Sequence, residues 1–191
     1  HTVDIGKAKV ESAAQTAISI NPDIKIQTHL KRIDGSNAVR TIMDYDLVAD
    51  GSDNFPTRFL INDACYFAKK PLVSAAILRF DAQLATYRPT SGTTGEEAGP
   101  CYRCVFREPP PLGHAPTCAE AGVLGAMCGM VGSFQATEVI KELLNIGESL
   151  VGSFLIFDGL NAEVRKIKVN RDPGCPICGD EPTIKDLSIH E

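Results

Sequence analysis

Two C-x-x-C pairs, Cys101-Tyr-Arg-Cys104 and Cys175-Pro-Ile-Cys178, constrain the fold of this chain more than any other feature. Together they offer four thiolates, the closed tetrahedral donor set of a structural zinc site. Their separation is far longer than in a zinc ribbon, so the fold itself must bring them together. Pro173-Gly174 ahead of the second pair and Gly179 behind it suit the tight turns of a zinc knuckle. A redox pair is the rival reading, but thioredoxin-type motifs do not come twice with this turn chemistry. A site of this kind ties the end of the chain to its middle and stabilises the fold.

A second stretch sets the fold class. Leu47-Val-Ala49 is a short apolar run suited to a strand covered on both faces of a parallel sheet. It ends in Asp50-Gly-Ser-Asp53-Asn54, a cluster of turn formers, and Pro56 then stands where a helix accepts proline in its first turn. Strand, acidic turn and helix (Thr57 to Lys69) place Asp50 and Asp53 at the carboxyl end of a parallel strand, where open α/β sheets bind ligands. A pair of acids there could hold Mg²⁺ on a nucleotide. For Asp50 the competing reading is a loop residue that caps the helix.

Around this centre the chain alternates. Gly6 to Ile20 is spaced as an amphipathic helix ended by Asn21-Pro22, Ile24 to His29 alternates as a strand, Ser36 to Met43 suits a short helix, and Pro71 to Ala76 a further strand. The order is doubly wound α/β. After Ala76, polar and apolar residues alternate through Tyr87, which points to antiparallel pairing. Thr90 to Gly99 is expected to be a mobile loop, and Pro109 to Pro116 a stiff segment outside helix and strand. A long helix follows from Val123 to Leu144. Its Gly125, Gly129 and Gly132 suggest close backbone packing. Strands at Ser153 to Phe157 and Glu163 to Val169 complete a parallel sheet continued by antiparallel strands. Residues 1–180 form the domain, and 181–191 a polar, frayed tail.

The net charge of −5 argues against a nucleic-acid binder, no apolar run is long enough for a membrane span, and no secretion signal opens the sequence. Seven cysteines, partly paired as C-x-x-C, fit a reducing, cytoplasmic setting. Cys65 and Cys128 read as core thiols. Cys118 follows the proline-rich loop near a helix amino end, where a thiolate is favoured; a nucleophile or sulfur carrier and an inert thiol are both open readings. Lys7 and Lys9 in a first helical turn oppose the helix dipole; they are either solvated charges or help that end hold an anion. The four histidines carry no assignment.

Taken in order, Ile5-Gly-Lys-Ala-Lys9-Val-Glu-Ser12, Asp50-Gly-Ser-Asp53-Asn54 with Arg58, Pro100-Cys-Tyr-Arg-Cys104, Thr117-Cys-Ala-Glu-Ala-Gly122 and Pro173-Gly-Cys-Pro-Ile-Cys178-Gly179 resemble the MoeB/ThiF/HesA family of ubiquitin-activating-like enzymes, on its molybdopterin-synthase adenylyltransferase side. The resemblance runs from Ile5 to Gly179. It implies ATP- and Mg²⁺-dependent adenylation of the Gly-Gly carboxyl terminus of a small ubiquitin-like sulfur-carrier protein, by a homodimer. It further implies that Lys9 contacts the ATP phosphates, that Asp53 belongs to the magnesium site, and that Asn54 lies beside it in the nucleotide pocket. Cys118 matches the crossover-loop cysteine that in parts of the family takes the activated tail. Cys101, Cys104, Cys175 and Cys178 match the zinc ligands.

Family members open with a strand and a G-x-G-x-x-G turn, and neither occurs here. A Rossmann-like fold lacking its first βαβ unit is therefore expected, with weak ATP binding for want of the amide cradle. The chain is expected to be the carboxyl-terminal part of a longer enzyme. Two further functions stand beside the adenylyltransferase: a non-catalytic, zinc-stabilised module that docks the sulfur carrier without activating it, and sulfur transfer through Cys118 alone.

Overall fold

The computed structural model describes residues 2–89, 99–111 and 118–190. The expected loop at 90–98 and most of the proline-rich segment, at 112–117, lie outside the described residues. The chain divides into two units, residues 1–33 and 34–191.

In the first unit a short 3-10 turn, Thr2–Asp4, precedes helix α1, Lys9–Ile20. The helix starts three residues after Gly6, which takes a φ of 90° that disfavours other residues. Ala8 precedes α1 without a side-chain cap, and Lys7 pairs with Asp4 at 2.8 Å. Residues 24–29 do not form the expected strand: no ladder partner is assigned to them, and Ile24 and Ile26 stay 43% and 37% exposed. Alternation alone does not make a strand when nothing pairs with its backbone.

The second unit contains α2 (Ala38–Met43), β1 (Val48–Asp50), α3 (Phe55–Ala68), β2 (Leu72–Leu78), β3 (Asp81–Tyr87), α4 (Tyr102–Val105), α5 (Cys118–Ala121), α6 (Gly125–Leu144), β4 (Ser153–Asp158) and β5 (Glu163–Lys168). The strands form one five-stranded sheet in the order β1-β2-β3-β4-β5. β1 and β2 are parallel, joined by the α3 crossover, and every later pair is antiparallel. This is the mixed, Rossmann-like α/β architecture expected from the alternation.

Each sheet face has its own cover. On one, Val73, Ala75, Leu84, Leu155 and Phe157 form a core with Met127 and Val131 of α6. The other carries a chain of aromatic rings: Phe59 on Tyr102 at 5.1 Å, Tyr102 on Phe106 at 4.8 Å, and Phe106 on Phe154 at 6.0 Å. β5 is exposed at every residue, and its Glu, Arg and Lys side chains suit an unpaired edge.

Two expectations fail on α6. A Cβ added at Gly125, Gly129 or Gly132 would meet nothing within 4 Å, so these glycines face open space rather than neighbouring backbone. Cys128 is exposed, not core. Burial on α6 follows Met127, Val131 and Glu138, which leaves the intervening position outside. The tail is not frayed either: Leu187 is 8% exposed, and His190 Nε2 lies 2.8 Å from Asp63 Oδ2.

Candidate functional site

The carboxyl end of β1 is locked by its own side chains. Asp50 is 3% exposed; its Oδ1 accepts the Ser52 amide at 2.8 Å and its Oδ2 accepts the Ser74 hydroxyl at 3.4 Å. The carboxylate thus closes an Asx turn and clips β1 to β2. It is neither solvated nor the cap of α3, so the expectation of a solvated, helix-capping loop residue fails at this position. Asn54 is the N-cap of α3, its Oδ1 accepting the Thr57 amide at 2.9 Å, and Pro56 follows in the first turn. Its amide group donates to Asp53 Oδ1 at 3.1 Å. Asp53 is exposed at the tip of the turn. Arg58, one helical turn into α3, donates through Nε and Nη2 to the Ser52 carbonyl at 3.1 and 2.9 Å, so the helix holds the turn it grows from.

Two cavities open at this turn. One, of about 330 Å³, lies toward α6 and is lined by Ser52, Ala75, Cys128, Val131 and Gln135 among others. The second, of about 200 Å³, is lined by Phe55, Ala76, Leu78, Gln83 and Phe106 among others. The first takes Ala75 and the second Ala76 and Leu78 from β2, and the two adjoin at the turn. Asp53, Arg58 and Ile77 line both. In the wall of the larger one, Ser52 Oγ is buried without a hydrogen-bond partner among the described residues.

Gln135 escaped the sequence reading. Its Nε2 donates to the carbonyls of Asp50 and Val73 at 2.8 and 2.9 Å, pinning α6 across β1 and β2 beside the cavity. The available signal was a long amide side chain in the middle of a largely apolar helix. Lys9 belongs to the other unit, where it is the exposed first residue of α1. Cys118 opens α5, a four-residue helix, and its side chain lies outside the described residues.

The structure brings the four paired cysteines together. All their sulfurs lie within 4.8 Å of one another, with Cys101–Cys104, Cys101–Cys175 and Cys104–Cys178 separated by 3.9, 3.6 and 3.3 Å. A zinc tetrathiolate has sulfur–sulfur edges of about 3.8 Å, given metal–sulfur bonds of about 2.3 Å in a tetrahedron, so the set fits such an ion. Two backbone amides, of Cys101 and Asp172, point at Cys104 Sγ from 3.4 and 3.3 Å, which orients and stabilises a thiolate. As thiols the sulfurs share protons. A hydrogen bond from Cys101 holds Cys104 down to about 7, while hydrogen bonding to the other sulfurs pushes Cys101 up. Gly179 is obligatory: a Cβ there would sit 2.4 Å from the Cys175 carbonyl oxygen. Cys65, by contrast, is a core thiol whose burial pushes it up to about 12.

Behind the cysteines lies a polar network that no motif announced. Arg103, between Cys101 and Cys104 in pair one, reaches the fully buried Asp63 of α3 at 2.7 Å, and His190 reaches the same carboxylate. Asn62 accepts the Tyr102 amide at 2.8 Å. These contacts fasten the knuckle to α3.

The model of the ThiF family matches residues 1–177. The chain is 46% identical over 190 residues to a protein of Thermus thermophilus named sulfur carrier protein adenylyltransferase, spanning 100% of this chain and 69% of that protein. It is 43% identical to the bovine adenylyltransferase and sulfurtransferase MOCS3, covering 97% of this chain and 40% of that one. A SAMP-activating enzyme E1 of Haloferax volcanii is 43% identical, over 98% of this chain and 67% of its own. The chain thus spans only part of the relatives it matches. Among solved structures, E. coli MccB with ATP superposes with a TM-score of 0.72 over 91% of this chain and 52% of its own, at 17% identity, a likeness of fold. The family match over nearly the whole chain, the ordered motifs and the mixed sheet agree: the chain belongs to the ThiF family.

Proposed function

We propose that this chain belongs to an adenylyltransferase that activates the Gly-Gly carboxyl terminus of a small ubiquitin-like sulfur carrier. The observation that carries the reading is the position of Asp53 and Arg58 in the walls of two adjoining cavities at one turn. Adenylation needs two substrates to meet at such a point. The larger cavity suits the nucleotide and the smaller one a narrow acyl tail.

The residues fit that chemistry. Asp53 is an exposed carboxylate at the tip of the turn, placed to hold Mg²⁺, and Ser52 Oγ is a buried hydroxyl with hydrogen-bonding capacity to spare. Bound Mg²⁺ would neutralise phosphate charge there. The tail carboxylate attacks the α-phosphorus of ATP, an acyl-adenylate forms and pyrophosphate leaves. The protein contributes positioning and charge compensation rather than covalent help. Lys9 as a phosphate ligand, Asn54 as a nucleotide-pocket residue and Cys118 as an acceptor of the activated tail complete the reading from their motifs. Asn54 orders the turn in any case by capping α3.

In this reading the four cysteines hold zinc, and the ion is structural, since four protein sulfurs leave no open coordination position. A homodimer is also part of it, supported by the exposed Met130, Phe134 and Ile140 of α6. So is a reducing, cytoplasmic setting, supported by the absence of disulfides among the six described cysteines. The carrier belongs to a molybdopterin or thiamine type of pathway, or to another route through a thiocarboxylate.

ATP–pyrophosphate exchange in the full-length protein tests the reading. Exchange that requires a carrier ending in Gly-Gly, and that Asp53→Ala abolishes, is expected. Absence of exchange with every such carrier overturns it in favour of a docking module.

A further inference from the structure

A third cavity lies at the other end of the sheet from the Asp53 turn. Leu72 and Tyr87, which pair across β2 and β3, stand in its wall, whereas Asp50 pairs with Ser74 farther along β2. Its volume is about 380 Å³, that of a small-molecule site. Among the described residues the lining carries three cations, Lys70, Arg88 and Arg171, and no aspartate or glutamate.

Its cations are held differently. Arg88 Nη2 is fixed by Glu142 at 2.7 Å, and Arg171 donates to Asp180 at 2.7 Å and to the Cys178 carbonyl at 2.8 Å. Lys70 has no ion pair or side-chain hydrogen bond among the described residues. Nor does the phenol of Tyr87, although this residue is only 3% exposed. Its oxygen is not a sealed orphan, since among the described residues Ser52 Oγ alone is a buried side-chain polar atom without a partner; the Tyr87 hydroxyl therefore meets the open space of the cavity. The remaining wall, from Tyr66 and Leu72, is ring and aliphatic surface.

We propose that this cavity is a second binding site, for a small organic anion whose carboxylate or phosphate is held by Lys70 with Arg171 and Tyr87. The body of the ligand lies against Tyr66 and Leu72. Two of the paired cysteines, Cys101 and Cys178, also line the cavity, so occupancy is sensed next to the metal centre.

The test is amide NMR of the metal-loaded, full-length protein titrated with phenyl phosphate, benzoate and uncharged benzyl alcohol. Saturable shifts at Lys70, Arg88, Arg171 and Gly179 with one or both anions, and none with the alcohol, are expected; the better anion identifies the headgroup. Lys70→Ala should weaken binding about tenfold, and Tyr87→Phe, which removes one oxygen, several-fold. Metal content of each variant is measured alongside, so that a misfolded variant is recognised. Shifts that never saturate, or that are confined to the Asp53 turn, overturn the proposal. So does unchanged anion binding in both variants; if Lys70→Ala then loses metal, the cations serve only to offset the thiolates.

Discussion

Arg103 donates through Nε and Nη2 to both carboxylate oxygens of Asp63, at 2.8 and 2.7 Å, with neither side chain more than 7% exposed. A buried bidentate pair costs desolvation to form, but leaving one partner alone costs more. Asp63→Ala strands the guanidinium and should destabilise the chain by about 3–5 kcal/mol in denaturant unfolding. His190→Ala removes a single contact to the same carboxylate and should cost about 1 kcal/mol. Equal losses in the two variants would mean that the pair is not what secures the knuckle.

Two adjacent residues of the turn should separate cleanly. Asn54→Ala loses the cap of α3 and should cost about 1 kcal/mol of stability. Asp53→Ala changes an exposed side chain, so its stability should stay within about 0.5 kcal/mol of the original while pyrophosphate exchange disappears. Calorimetry beside the exchange assay on the full-length protein reads both effects.

The cysteine cluster makes a pH-dependent prediction. With the metal removed, the ultraviolet thiolate absorbance should begin to rise below the ordinary cysteine range, because hydrogen bonds from Cys101 hold both Cys104 and Cys175 down. Cys101→Ala should move that step to higher pH. With the metal present the sign is the same: protons compete for the sulfurs, so retention of the ion falls as pH falls. Elemental analysis after dialysis at stepped pH shows the loss directly, and one zinc per chain is the expected content at neutral pH.

Gly179→Ala tests the knuckle turn by itself. The added methyl meets the backbone carbonyls of Cys175 and Pro173 at 2.4 and 2.5 Å, groups that cannot rotate away. A loss of about 1–3 kcal/mol is expected, with weaker metal retention. An unchanged melting temperature would contradict the geometry.

The legible parts of this fold were those whose local chemistry and tertiary role coincide. Asn54 and Pro56 mark the start of α3 because cap and proline each have one good place in a helix. The four cysteines were legible because no other arrangement uses that turn chemistry twice. The alternation at Ile24 to His29 misled, since a strand is completed by its neighbour and not by its own pattern. Cys128 misled for a related reason: an apolar surrounding in sequence says nothing of which side of a helix faces the sheet. The glycines of α6 could be read as close packing or as an open surface, and only coordinates separate the two. His190 and Gln135 were invisible because their partners, Asp63 and the carbonyls of Asp50 and Val73, are 127, 85 and 62 residues away.

The second cysteine pair joins the first across 74 residues, and His190 reaches Asp63 across 127. Closures over such spans are slow, because the loop entropy is lost before any contact repays it. During synthesis β1, α3 and β2 leave the ribosome long before Cys175 does. The half-site at Cys101 and Cys104 must therefore wait, with two thiols and no second pair, until Cys175 and Cys178 have been made. Capture of a metal by all four sulfurs would wait on that closure, and a chain interrupted before Cys175 would be left with an open knuckle.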